Sequence, residues 1–202
     1  MEIKEINKLH EKQDSHSFLK LDFTNCSDQL RHYDAQIIDI LKISFSIYSA
    51  VAGVIFGIYK LGKNPNPQFL PFAIVSLFIG LLIGMLMISM AITNRAYFVR
   101  TARYINECRA FYINYNQIEF SNKSKMYMDY KKPLYFNWHS SQSFVIYTLA
   151  AFNSLCFSCL IYVFSSSITS CKFLFPILGF LILLSTQLLL GIRYLRNQEK
   201  IN

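Results

Sequence analysis

The sequence predicts an all-α integral membrane protein. Four transmembrane helices form two antiparallel hairpins, with a cytoplasmic N-terminal helix and a helical stalk extending span two. Three observations carry this. The first is the stretch Phe69–Ile92, FLPFAIVSLFIGLLIGMLMISMAI, which holds no charged residue. At ~1.5 Å rise per residue it crosses a hydrocarbon core of ~30 Å with some tilt. Its apolar residues occupy every helical face, which leaves no polar stripe for water. The second is that Asp, Glu, Lys and Arg are absent from residues 43–59, 64–94, 133–171 and 173–192 and crowded elsewhere. A water-soluble helical bundle has no use for four such windows; a bilayer does.

The third observation is the placement of positive charge. The chain carries a net charge of +8, but residues 1–40 are acidic, with eight Asp/Glu against five Lys/Arg. Counted by segment, the N-terminus through Lys42 holds six Lys/Arg, residues 94–142 hold eight and the end of the chain from Arg193 three, whereas the two short connections hold only Lys60, Lys63 and Lys172. Lys/Arg-rich flanks stay on the cytoplasmic side, so both termini and the central segment are expected there. Basic charge beside membrane spans is first a topology signal. Nucleic acid is therefore not an expected partner; the lipid bilayer is.

The expected boundaries follow in order. Residues 1–42 form a cytoplasmic N-terminal helical segment, whose opening MEIKEINKLHEKQDSHS lacks the apolar core of a secretory signal. FLKLDF alternates ambiguously and reads as a loop or a short extended piece. Ser27 and Asp28 then offer an N-cap for a helix from about Gln29, with Leu30, Tyr33, Ile37 and Ile40 at helical spacing. That helix is expected to pack on the stalk. Residues 43–93 form the first hairpin, turned by the two prolines of NPNPQ.

Both of its spans carry small residues every four positions: Ser49, Gly53 and Gly57 in the first, Ser76, Gly80 and Gly84 in the second. Such faces let helix backbones approach closely. The preferred reading is that the two spans pack on each other through them; the alternative is a seam between copies of the chain, making a homo-oligomer.

Residues 94–142 form the stalk and an interfacial loop. Arg100, Arg103, Asn106 and Arg109 are candidates for contact with an acidic ligand, a cytoplasmic protein partner or an anionic head group. A solvated face anchored to anionic lipid is the preferred account. Lys131, Lys132 and Trp138, with their neighbouring tyrosines, suit the headgroup layer, where amphipathic rings and snorkelling lysines settle. Residues 143–194 form the second hairpin. Asn153 and Gln187 are its candidate polar residues, for interhelical hydrogen bonds or the lining of a wet pore. Residues 195–202 form a short cytoplasmic tail.

Catalytic chemistry has no sequence support. The chain lacks a Gly-rich phosphate loop, HExxH, GxSxG and an EF-hand loop. Cys156 and Cys159 have CxxC spacing but lie in a greasy helix without a second pair, so they read as small buried thiols, not metal ligands. No catalytic residue, metal or cofactor is expected. The span interiors also lack the carboxylates and basic groups that proton-coupled carriers use.

The layout, a cytoplasmic helix, two hairpins of spans and a basic stalk-loop in 202 residues, resembles the small four-span membrane effectors and accessory proteins of bacterial defence, of CRISPR-associated or abortive-infection type. The resemblance implies an oligomer of the inner membrane that perturbs it when a cytoplasmic signal arrives. A scaffold that docks another protein and a passive channel for a small solute are the alternatives.

Overall fold

The computed structural model describes residues 2–61, 70–115, 129–165 and 173–201, with side chains placed for 16–58, 70–113, 129–165 and 173–201. The NPNPQ turn, Cys171, Lys60, Lys63, Lys123, Lys125 and Lys172, and the Ile3, Ile6, Leu9 stripe lie outside the described residues or side chains. Among the described residues there are four helices and no strand: α1 (Glu2–Leu61), α2 (Leu70–Tyr115), α3 (Ser141–Ser165) and α4 (Leu174–Ile201). Each is long and apolar enough to cross a membrane.

Local chemistry explains where these helices run. Pro71 is the second residue of α2 and Pro176 the third of α4, positions where the missing N–H would have had no intrahelical partner. Ser140 caps α3: its hydroxyl accepts the Ser143 N–H at 3.2 Å. Inside the helices, hydroxyls bond back one turn, Ser44 to Ile40 O (2.7 Å), Ser154 to Ala150 O (2.7 Å) and Thr186 to Ile182 O (2.8 Å). Small polar residues are thereby satisfied without water, which is what an apolar surrounding demands.

The N-terminal segment departs from expectation. It has no break at FLKLDF and no cap at Ser27; α1 runs through both. Ser27 Oγ donates to Phe23 O at 2.8 Å, Thr24 Oγ1 to Lys20 O at 3.0 Å, and Asp28 pairs with Arg31 three residues on. The polar groups that suggested a cap are used up within the helix. No Gly or Pro occurs before Gly53 to stop it. The tail is helical too, since α4 continues to Ile201.

The chain divides into two compact units. The first comprises Met1–Ala35 and Ala96–Leu134. In it α1 packs on the far part of α2, as the apolar spacing suggested. Tyr33 stacks on Tyr97 with centroids 6.2 Å apart, the Tyr104 hydroxyl donates to the Asp22 carboxylate, and the Tyr112 hydroxyl donates to His16 O at 3.3 Å.

The second unit comprises Gln36–Arg95 and Tyr135–Asn202. Its interior has two apolar clusters. One is built from Ile37, Ile40, Ile88, Ala91, Ile146, Leu149 and Ala150, with Leu184 and Leu188 packed against it. The other is built from Leu77, Leu81, Cys156 and Leu160, with Tyr48, Val51 and Leu183 against it. All four helices contribute. Outside these clusters the large apolar side chains point outward: Phe56, Phe72, Leu86, Ile182 and Leu189 are all more than 60% exposed. A water-soluble domain would bury such side chains.

Candidate functional site

Two groups of polar residues stand out in the second unit, one among its apolar helices and one at its Arg95 end. The first centres on Asn153 of α3, which is fully buried. Neither its amide nitrogen nor its oxygen has a hydrogen-bond partner, and the buried Tyr48 hydroxyl has none either. Both side chains press against the backbone of α2 at Gly84. A Cβ there would collide with the Tyr48 hydroxyl and with Asn153 Oδ1, and would lie 2.9 Å from Asn153 Cγ. Only a residue without a side chain lets the two polar tips meet at that point of α2. Tyr48, Gly84 and Asn153 thus form a polar point where α1, α2 and α3 converge.

Gly80, one turn earlier on α2, faces Val51 at 3.1 Å and Cys156 at 3.9 Å from where its Cβ would sit. Ser76 donates to Ala73 O at 2.9 Å within its own helix. The α2 small-residue face therefore lies inside the unit. The α1 face does not. Ser49, Gly53 and Gly57 are exposed, and a Cβ at either glycine would meet nothing within 4 Å. This corrects the expected mutual contact of the two faces. Close approach to Gly80 and Gly84 is made by the large side chains of Tyr48 and Val51, on another side of α1.

The second group was hidden in the count of topology-setting charges. Arg95, on α2, is 3% exposed. Its Nε donates to Tyr135 O at 3.1 Å and its guanidinium to Gln142 Oε1 at 3.2 Å. The Tyr135 N–H in turn donates to the Glu199 carboxylate of α4 at 3.0 Å. One guanidinium and one carboxylate thereby hold the loop before α3 between α2 and α4. Beside it, Asn94 donates to Gln36 Oε1 of α1 at 2.8 Å. A sequence signal for Arg95 did exist: it is the first charge after 31 uncharged residues, at the end of a long apolar run, where a planar multi-donor group is suited to burial.

In the first unit, the residues proposed to bind an acidic ligand are engaged by the chain itself. Arg103 Nε donates to Pro133 O at 3.1 Å, and Asn106 donates to Lys132 O at 2.8 Å and Asp129 O at 3.3 Å. These bonds hold the turn Asp129–Lys132, closed by Lys132 N–H to Asp129 O at 3.0 Å, against α2. Arg109 lies over the Phe23 ring at 5.6 Å and Arg100 over Tyr97 at 6.0 Å. Arg103 and Asn106 read backbone carbonyls.

The belt residues are placed as surface groups. Lys131 Nζ is 5.7 Å from the Tyr130 ring, and Lys132 contributes its backbone to the turn. In the second unit, Trp138 is exposed and meets Phe136 edge-on at 4.8 Å, while Arg196 lies over Phe136 at 5.9 Å. Gln187 lines a groove between α2 and α4. Among the described residues no three His, Cys, Asp or Glu converge as a metal site requires, and Cys26, Cys108, Cys156 and Cys159 are free thiols.

Burial raises the Cys108 and Cys26 thiols above the usual thiol range, and the hydrogen bond to Asp22 raises the Tyr104 phenol. None of these is the lowered, activated state that nucleophilic chemistry uses. No protein-family model, curated protein or solved structure matches this chain.

Proposed function

We propose that this is a non-enzymatic multi-pass protein of a bacterial inner membrane, with both termini and the central segment in the cytoplasm. Its spans form two hairpins, it assembles as an oligomer, and it perturbs the membrane in response to a cytoplasmic signal, as an antiviral defence effector does. The observation that carries the reading is the outward display of apolar side chains along four helices, with polar contacts drawn inward. A surface of this kind belongs in lipid. The second hairpin is supported by contacts that run in opposite senses along α3 and α4: Ser158 Oγ donates to Pro176 O at 2.9 Å, while Leu184 and Leu188 pack against the cluster that holds Ile146, Leu149 and Ala150. The open Ser49–Gly53–Gly57 face supports association between copies, since close helix packing in lipid uses such faces. The test is expression under induction with a potential-sensitive dye. Collapse of the membrane potential and arrested growth support the effector; a normal potential and normal growth reject it.

A second reading is favoured by Phe18 and Leu21, which are 67% and 61% exposed on the first unit's part of α1. Apolar residues there suit a scaffold that docks a cytoplasmic protein. A stoichiometric partner on affinity purification, without ion leak in liposomes, selects this reading over the first.

A further inference from the structure

The end of α4 carries Arg193, Arg196 and Lys200. At ~100° of rotation per residue, they fall within one sector of ~60° on the helix surface. All three are exposed, and among the described residues none pairs with a carboxylate. Glu199 lies outside this sector, its carboxylate accepting the Tyr135 N–H at 3.0 Å. Gly191 and Leu195, the buried residues of this part of α4, lie on the opposite side. The same sector holds Leu189 and Ile182, one and three turns earlier, which are 66% and 64% exposed. An outward apolar stripe therefore runs straight into a cationic one. Beside it, Arg196 lies over the Phe136 ring at 5.9 Å, and the exposed Trp138 meets that ring edge-on at 4.8 Å. Arg95, Arg103 and Lys42, by contrast, are spent on the chain's own oxygens, the first two on carbonyls and the third on Asp39.

We propose that this end of α4 holds the phosphate of an anionic phospholipid, with Arg196 at its centre, Arg193 and Lys200 to either side, and an acyl chain along Ile182 and Leu189. This rests on the membrane reading above and adds to it the class of lipid and its place. A guanidinium presents a fork of donors that matches phosphate oxygens, and a lysine one turn on reaches back along its stem to the same layer. Net negative charge is required, because the ammonium of a zwitterionic head group would meet three cations with no carboxylate between them. An apolar tail is required as well, because the cationic stripe continues the outward apolar one; free phosphate or an acidic peptide would leave that stripe bare. Trp138 sets the depth. Indole rings settle at the headgroup level, and through Phe136 it shares that level with the Arg196 guanidinium.

Trp138 is the chain's only tryptophan, so its fluorescence reports on this place alone. The full-length chain is reconstituted in phosphatidylcholine vesicles and first shown to stay with them through a carbonate wash, so that failure of the membrane reading is seen separately. Phosphatidylglycerol with a nitroxide near the ester end of one chain then replaces part of the host lipid, in parallel with nitroxide phosphatidylcholine. The anionic probe should quench Trp138 more strongly at equal mole fraction. Unlabelled phosphatidylglycerol should relieve the quenching, and inorganic phosphate at matched ionic strength should not. The preference should fall about fivefold in Arg196→Gln, the share of one basic side chain at an anionic surface. Arg193→Gln with Lys200→Gln should lower it at least as far while leaving the Arg196–Phe136 contact in place. Lys42→Gln, whose charge Asp39 already offsets, should leave it unchanged. Equal quenching by the two probes, a preference untouched by the α4 variants, an equal loss in Lys42→Gln, or relief by inorganic phosphate would overturn the assignment.

Discussion

Gly84→Ala and Gly53→Ala are the same chemical change in two neighbouring helices, and they should have different consequences. At Gly84 the new methyl would collide with the Tyr48 hydroxyl and Asn153 Oδ1, with Asn153 Cγ only 2.9 Å away. Asn153 is fully buried and cannot swing into open space. At Gly53 the methyl meets nothing within 4 Å. Both changes gain the same intrinsic helix preference, ~1 kcal/mol in water and less in lipid. The difference between the two variants therefore isolates the packing term, which for an inserted methyl in a filled interior is ~1–3 kcal/mol. Gly53→Ala should be neutral or stabilising, and Gly84→Ala destabilising relative to it by that amount. The assay is reversible denaturation in mixed micelles, followed by circular dichroism. Equal stability of the two variants would refute the convergence of α1, α2 and α3 at Gly84.

Other consequences are as specific. Tyr48→Phe removes a hydroxyl that has no partner, so micelle denaturation should show no loss, or a gain of up to ~1 kcal/mol; a loss larger than that would mean the hydroxyl is bonded. Arg95→Met strips the Tyr135 carbonyl and Gln142 of their donor and should cost ~3 kcal/mol in the same assay. Arg95→Lys should recover less than half, because an ammonium does not reproduce the guanidinium fork, and full recovery would contradict the clasp. The Tyr104 phenol is held neutral by its hydrogen bond to Asp22, so its ionisation lies above that of free tyrosine. Whatever stability this bond contributes is complete below pH ~10, the free tyrosine value, and lost as pH rises through the folded value. Difference absorbance against Tyr104→Phe should show the phenolate appearing late, and an ordinary tyrosine titration would show the bond to be absent.

The four long apolar helices were legible because a charge-free run of bilayer length is a composition that few environments other than a membrane ask for. Phe69–Ile92 lies almost wholly within α2, and Asn153 stood out as a polar residue in a greasy run. Pairing of α1 with the far part of α2 was legible in part: Tyr33 of the apolar stripe stacks on Tyr97, whereas Ile37 and Ile40 of the same stripe enter the second unit's core. Faces were harder. The two Ser-xxx-Gly-xxx-Gly patterns are identical in sequence, yet one is buried and the other open. Which face of a helix meets its neighbour depends on the bulk of the opposing side chains, here Tyr48 and Val51, and a one-helix pattern does not contain that. Arg95 was obscured for a related reason. A charge at a span's end reads equally as a topology signal and as the centre of a hydrogen-bonded clasp. The distinction rests on where Tyr135 and Gln142, 40 and 47 positions later, place their oxygens. Arg103 and Asn106 looked like ligand groups because the carbonyls they hold, at Asp129, Lys132 and Pro133, leave no mark in the side-chain sequence.

The claim on which the whole account rests is that lipid surrounds the four apolar helices. Expressing the chain, washing the membranes in alkaline carbonate and sedimenting them tests it directly. The protein should remain wholly in the pellet until detergent is added; release into the carbonate supernatant would contradict the account.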